Sequence, residues 1–230
     1  MPARVLPLLL HGQSGPTRRN VQVDRLVIAG WTGRDTAALE KHIAELEAIG
    51  VKRPASVPIF YRASTARLTT DDSIEALGEA SSGEAEFVLL RHGQRLWVGA
   101  GSDHTDREVE KYGVSLSKQM CDKPVAPEFW DYEEIAPHWD KLVLRAYIAE
   151  NGTRVLYQEG PVTAMLDPLA LIEQFGGKNG LQEGTLMFCG TLAARGGIRP
   201  SETFAFELDD PVLARKIQHQ YRVHNLPVLG

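Results

Sequence analysis

Two pairs of strand-forming runs that double back across tight turns constrain this chain more than any other feature. Residues 84–91 (EAEFVLLR) and 94–99 (QRLWVG) meet around His92-Gly93, and residues 142–149 and 153–158 meet across Asn151-Gly152. A turn of the Asn-Gly kind supplies the positive φ angles that join neighbouring antiparallel strands. Runs at 25–30 (RLVIAG), 57–62 (VPIFYR), 186–190, 203–208 and 213–223 also read as extended. Helical spacing is confined to short stretches. Leu39, Ile43, Leu46 and Ile49 recur with it over 35–49, and Gly50 supplies the stop. Thr105-Asp106-Arg107-Glu108 has the form of a capping box, which predicts a helix opening at Thr105 and ending at Gly113. Asp167-Pro168, the run LALIEQF and Gly176-Gly177 supply an N-cap, a first-turn proline and a glycine stop. The pattern predicts an α+β protein built on antiparallel pairing, not an alternating parallel-sheet fold.

A chain of 230 residues buries enough surface to fold without disulfides or a structural metal. No internal repeat or Pro/Gly/Ser-rich linker divides it, so one domain over 1–230 is expected. Within it, 1–56 would form a small N-terminal or lid lobe and 57–230 the core. Lys and Arg number 25 against 30 Asp and Glu, a net charge of −5. The basic residues are scattered, which argues against a nucleic-acid partner. The apolar run at 5–10 is broken by Pro7 and is too short for a secretory segment. No run approaches the roughly 18 apolar residues of a membrane span. Cys121 and Cys189 are far apart and match no metal spacing. They read as reduced thiols of a soluble, cytoplasmic protein.

Three constellations could carry chemistry. Glu84 and Glu86 lie two apart on a strand, so both carboxylates face one side, continued by Val88 and Leu90. Either that strand end is solvated, or a hard divalent cation relieves the repulsion and desolvation of the pair. Asp103 stands in Gly99-Ala100-Gly101-Ser102-Asp103-His104, between a strand and a helix start. Taken alone it reads as a cap or turn residue, although such a segment can aim a carboxylate across the adjacent hairpin. His42 and Glu45 are neighbours three apart on the 35–49 helix. They form either a packed histidine with a surface partner or a general base oriented by a carboxylate. Lys118 alone would pass for a surface lysine, and no Gly-x-Ser-x-Gly elbow occurs.

Taken in order, Glu84-x-Glu86, Gly-Ser-Asp103-His-Thr-Asp-Arg107, Lys118 and Gly190-Thr191 resemble the fumarylacetoacetate hydrolase superfamily. Pro58 to Ser64 looks like that family's Phe-x-Lys-Pro-Ser segment, and Gln158 to Phe175 is similar to its "Arg-Gln … Met-Ile … Leu-Ile" stretch. Gly190 to Gly196 resembles its Gly-Thr-Pro-Ala-Gly-Val-Gly loop, and His42-x-x-Glu45 its lid His-x-x-Glu. The sequence departs from the pattern at Ser102, which replaces the family's Asn, and at Gly30-Trp31-Thr32-Gly33, which replaces Gly-x-Asn-Tyr. Asp103 also follows Glu86 by only 17 positions, fewer than is usual there. A divergent bacterial branch is the expectation.

The resemblance implies a β-rich mixed β-sandwich or β-roll of the family's C-terminal-domain type, with a few short helices, assembled as a homodimer. It implies one Mg²⁺ or Mn²⁺, with Ca²⁺ as a substitute, held by Glu84, Glu86 and Asp103. His42, Glu45 and Lys118 would be catalytic, and Arg107, Gln158, Gly190 and Thr191 would hold substrate. Arg107 could instead only brace Asp103. Three carboxylates would balance a divalent cation and Lys118. The expected chemistry is on a small 2-oxo or 1,3-dicarbonyl carboxylic acid through a metal-stabilised enolate: C–C hydrolysis, decarboxylation, hydration or tautomerisation. The alternative is a protein that binds metal and carboxylic acid but has lost the catalytic lid.

Overall fold

The computed structural model describes residues 3–37, 39–40, 43–44 and 53–229. Two larger sheets organise them. One runs in the order Gly15–Val23, Arg4–Gly12, Glu128–Asp131, Arg95–Ser102, Ala85–His92, Thr185–Thr191, Arg25–Gly30, Ile59–Ala63. The other runs Thr153–Pro161, Val143–Glu150, Thr203–Asp210, Arg215–Leu226, Ser73–Leu77. Pairing is mostly antiparallel, but Thr185–Thr191 runs parallel to Arg25–Gly30 and Arg215–Leu226 parallel to Ser73–Leu77. This is the β-rich mixed architecture with short helices that was expected.

Both faces of the larger sheet are covered. On the Val143–Glu150 strand burial alternates, because Leu144, Ala146 and Ile148 point inward while Arg145 faces Glu159, Glu207 and Asp209. Those inward residues pack with Phe87, Leu89 and Trp130 of the larger sheet. The opposite face carries a second cluster, which joins Leu6, Leu8 and Val21 at one end of the sheet to Ile28 near the other end. Tyr61 and Ala63 of the edge strand pack on the same cluster. A sheet whose ends share one core must curl on itself, which is the roll. Hence Ala85–His92 alternates not between core and water but between two cores, and it reads as a continuous apolar run.

Local details depart from expectation in three places. The first hairpin turns at Gly93-Gln94, one residue later than His92-Gly93: both have positive φ (61° and 63°), and His92 pairs with Arg95. The second turns at Asn151-Gly152 as expected, with φ of 50° and 74°. The helix expected from Thr105 to Gly113 is shorter, Arg107–Glu110, and a second helix, Val114–Met120, follows directly after Gly113. Asp106 caps the first, accepting from the Glu108 and Val109 N–H groups at 3.0 and 2.9 Å, whereas the Thr105 hydroxyl donates to the Asp103 carbonyl. Finally, the apolar start is one arm of a hairpin, Arg4–Gly12 with Gly15–Val23, which the signal-peptide question had obscured. Three strands within 1–56 are thus members of the larger sheet. The helix at Pro168–Gly176 has its Asp167 cap and its Gly177 stop in place. His42 and Glu45 lie outside the described residues.

Candidate metal centre

The first hairpin builds the centre. Its register pairs Ala85 with Ser102 and Glu86 with Gly101, so Glu84 and Asp103 come to stand opposite each other. The Asp103 N–H donates to the Glu84 carbonyl at 2.9 Å. One oxygen from each of Glu84, Glu86 and Asp103 lies within 4.8 Å of the others. The tight turn also explains the short interval between Glu86 and Asp103, since the strand doubles straight back with nothing inserted. Glu86 and Asp103 are buried and Glu84 is partly so. Gly101 leaves room for the Phe188 ring, which a Cβ there would meet at 2.7 Å.

Cations pair with Glu84 and Asp103 but, among the described residues, not with Glu86. Lys118, from the helix Val114–Met120, donates to Asp103 Oδ2, and its Nζ is 3.3 Å from Glu84 Oε2. Lys123 is completely buried, with Nζ donating to the His104 and Cys121 carbonyls at 2.6 and 3.0 Å. The same Nζ pairs with Asp103 Oδ1 at 3.3 Å. Arg107 pairs with Glu84 at 3.2 Å and Glu110 at 3.0 Å, and donates to Ser82 at 2.7 Å. Arg107 therefore braces Glu84, and the brace on Asp103 is Lys118. The balance of three carboxylates by a divalent ion and Lys118 needs correcting: Lys118, Lys123 and Arg107 face four carboxylates, because Arg107 is shared with Glu110, so a divalent ion would leave one positive charge rather than none.

Burial pushes the Glu86 carboxyl well above the ordinary carboxylate range, and the negative Asp103 and Glu84 push it further. Burial also raises Asp103, but Lys118 and Lys123 outweigh it and hold its pKa below the ordinary value. Burial lowers the Lys118 ammonium, yet Asp103 and Glu84 more than compensate and its pKa is raised. Asp103 stays ionised while Glu86 resists ionisation.

Gly190, Thr191 and Gln158 hold the carboxylate strand from behind. The Gly190 N–H donates to Glu86 Oε2 at 2.7 Å. Gln158 accepts from the Ala85 N–H at 3.0 Å and donates to Thr191 Oγ1 at 2.8 Å and the Leu192 carbonyl at 2.5 Å. Thr191 in turn donates to the Ala85 carbonyl at 2.7 Å. With both ends of the Gln158 amide and the Thr191 proton committed to the protein, these groups position the ligand set. Sequence reasoning missed Lys123, which sits on a two-residue strand and carries no motif. It also missed the buried network His104–Tyr221–Ser102, with bonds of 2.9 and 2.8 Å, and the His104 bond to Ser81 at 2.9 Å. Burial, with Lys123 and Arg107 nearby, lowers His104 to about 3, so this histidine is a neutral structural link.

The residues present fit a hard cation. Oxygen donors converge from three carboxylates, two of them buried, which is the donor set a hard divalent cation prefers.

A family model described as "Protein of unknown function (DUF2848)" matches residues 29–221. No curated protein matches the sequence. Among solved structures, a yeast fumarylacetoacetate hydrolase family protein, ynq8, aligns with a TM-score of 0.62 at 18% identity, covering 90% of this chain and 95% of that one. Cg1458 with inhibitor aligns with a TM-score of 0.66 at 14% identity, over 93% and 81% of the two chains. 2-Keto-3-deoxy-D-arabinonate dehydratase complexed with magnesium and 2,5-dioxopentanoate aligns with a TM-score of 0.64 at 14% identity, over 93% and 78%. The fold is therefore that of fumarylacetoacetate hydrolase family proteins. Among the described residues, no helix is long and apolar enough to cross a membrane.

Proposed function

The chain belongs to the family described as Protein of unknown function (DUF2848), and from its acidic cluster and its fold we propose a divalent-metal-dependent enzyme acting on a small 2-oxo or 1,3-dicarbonyl carboxylic acid. The observation that carries this reading is the convergence of Glu84, Glu86 and Asp103, each offering one carboxylate oxygen within 4.8 Å of the others, with Glu86 and Asp103 buried. Mg²⁺ or Mn²⁺ held there supplies a positive charge that chelates adjacent oxygens and offsets charge building on a keto oxygen.

The remaining steps belong to the chain's own residues. Gly190 fixes the Glu86 carboxylate by one oxygen and leaves the other for the cation. Because Lys118, Lys123 and Arg107 leave Glu84, Glu86, Asp103 and Glu110 one charge short of balance, a divalent ion would make the site positive by one charge. A site of that charge draws an anionic ligand, which favours a carboxylic acid over a neutral ketone. Lys118 gives its N–H bonds to Asp103, Glu84 and Thr105, and would act on a ligand through its charge alone. His42, oriented by Glu45, would take the proton from the α-carbon or from water, a role resting on the sequence pattern alone. C–C hydrolysis, decarboxylation, hydration and tautomerisation all pass through the same charge development at the α-carbon. The magnesium-bound relative of similar fold, complexed with 2,5-dioxopentanoate, supports this substrate class.

Exchange of α-protons tests the reading without prior choice of reaction. A panel of 2-oxo and 1,3-dicarbonyl acids in D₂O should show α-deuteration by the Mg²⁺-loaded protein, lost in Glu86→Gln. No exchange or turnover by any member of the panel, with metal demonstrably bound, would favour the non-catalytic binder.

A further inference from the structure

The peptide unit between Cys189 and Gly190 has an unusual place in the larger sheet. Pairing of its strand with Ala85–His92 stops at Phe188 opposite Val88 and resumes at Thr191 opposite Glu86, so this strand carries one residue more than its partner. On the other side, parallel pairing with Arg25–Gly30 also stops at Phe188, opposite Ile28. The irregularity is a β-bulge, which leaves the inserted stretch out of the ladder and re-aims its backbone groups. The Gly190 N–H is thereby free to turn to Glu86, donating to Oε2 at 2.7 Å. Gly190 has φ of 97°, and a Cβ there would overlap Thr32 Oγ1, so only glycine fits.

Thr32 takes the other end of the same peptide unit. Its hydroxyl donates to the Cys189 carbonyl at 2.9 Å, and the side chain is buried. The backbone around it is pinned to a third segment. The Leu166 N–H donates to the Thr32 carbonyl at 2.8 Å, Gly33 bridges Met165, and the Arg34 N–H donates to the Ala164 carbonyl at 2.9 Å. The hydroxyl is therefore delivered from a fixed frame. A peptide unit is planar and trans, so fixing the direction of its C=O fixes that of its N–H. Acceptance at the carbonyl also polarises the unit and makes its N–H a better donor. Hydroxyl, peptide and Glu86 carboxylate form one chain of two hydrogen bonds.

We propose that Thr32 is a positioning residue of the metal centre: acting through the Cys189–Gly190 peptide, it orients Glu86 so that one carboxylate oxygen is held by the protein and the other is left for the cation. The assignment rests on the metal-centre reading above and adds to it a residue that touches neither cation nor substrate. It gives a use to the bulge, to the glycine at its centre and to Gly30-Trp31-Thr32-Gly33, where the sequence departs from the family pattern. It also makes Thr32→Val a selective lesion, because the side chain keeps its shape and only the donated proton is lost.

The test is calorimetric titration of Mg²⁺ into metal-stripped wild type, Thr32→Val and Thr32→Ser. Thr32→Val should bind Mg²⁺ about tenfold more weakly, the lower end of what the partners of metal ligands are worth. Thr32→Ser restores the donor and should bind as wild type does. A second comparison, Thr32→Val in the Glu86→Gln background, is read with Mn²⁺ by electron paramagnetic resonance, which follows weak binding. There residue 86 no longer supplies an anionic ligand, so Thr32→Val should cost no further affinity. A hydroxyl that merely supported the fold would not show that dependence. Wild-type affinity in Thr32→Val, an equal loss in Thr32→Ser, or a full additional loss on Glu86→Gln would each overturn the assignment and leave the metal centre standing. Absence of Mg²⁺ binding by wild type would remove both readings. Should Thr32→Val fail to fold, Thr32→Cys, whose thiol is a weak donor, carries the same comparison with a several-fold loss expected.

Discussion

Glu86 is buried between two other carboxylates, and only the Gly190 N–H and a more distant Lys118 favour its charge. Its charge is therefore a liability without a cation and an asset with one. Glu86→Gln keeps the acceptor for Gly190 and removes that charge. Metal-free Glu86→Gln should be at least as stable as wild type by thermal melting, while its Mg²⁺ affinity should fall by about 100-fold or more, beyond the usual loss from an outer-shell change. Lys123 makes the opposite case. Its ammonium is wholly buried and serves two carbonyls and Asp103. Lys123→Met would strand those acceptors and should cost about 3–5 kcal/mol of stability in denaturant titration; a loss under about 1 kcal/mol would show that the cation is dispensable. The two residues also differ in how far the sequence announces them. Glu86 stands in a Glu-x-Glu strand pattern, whereas Lys123 matters only because the chain after Cys121 turns under Asp103, a tertiary event with no local signature.

At the level of elements, the hairpin does most of the work. Once two strands are known to pair across a tight turn, register alone brings Glu84 opposite Asp103. The one-residue error in placing that turn matters physically, since it shifts the pairing by two and would set Glu84 opposite Gly101 instead of Asp103. What settles it is Gln94 accepting a positive φ that His92 would otherwise need. A turn with positive φ at both central residues prefers Asn-Gly to Gly-Gln. The double change Gly93→Asn and Gln94→Gly should therefore stabilise the protein by about 0.5–1 kcal/mol, read as a raised Tm with Mg²⁺ binding unaltered. The two-helix segment 107–120 was half legible for a related reason. Thr105 and Asp106 are both acceptable caps, and the choice fell to Asp106 because Thr105 is paired with Ser82 as strand while the Asp106 carboxylate accepts from two N–H groups at once.

For the whole molecule, hairpins and short helices were readable from residue patterns, but the curling of the larger sheet was not. Alternation shows that a strand has an inside and an outside, not that both sides will be covered. The roll joins Arg25–Gly30 and Ile59–Ala63 to the sheet that carries Glu86, and Ile28 and Tyr61 pack in the same core as Val88. The smaller sheet is tied to the rest at Asp210, a buried carboxylate that accepts from His138, Arg215 and the Val212 and Leu213 N–H groups at 3.1–3.2 Å. Burial raises this carboxyl, but the His138 and Leu213 bonds and Arg215 together bring it below its ordinary value. A depressed native pKa contributes stability above the unfolded carboxylate value of about 3.9 and loses it as pH falls through the native value. The stability gap between wild type and Asp210→Asn should thus be full near neutrality and shrink below about pH 4; a gap constant down to pH 2 would contradict the assignment.

The central claim is that Glu84, Glu86 and Asp103 form an open cation site, and the most direct measurement is calorimetry of Mg²⁺ or Mn²⁺ added to the metal-stripped protein. The account predicts saturable uptake near one equivalent by wild type, abolished in the Glu84→Gln/Glu86→Gln double variant although that variant melts as wild type does. No uptake by the wild type, or equal uptake by both proteins, would contradict it.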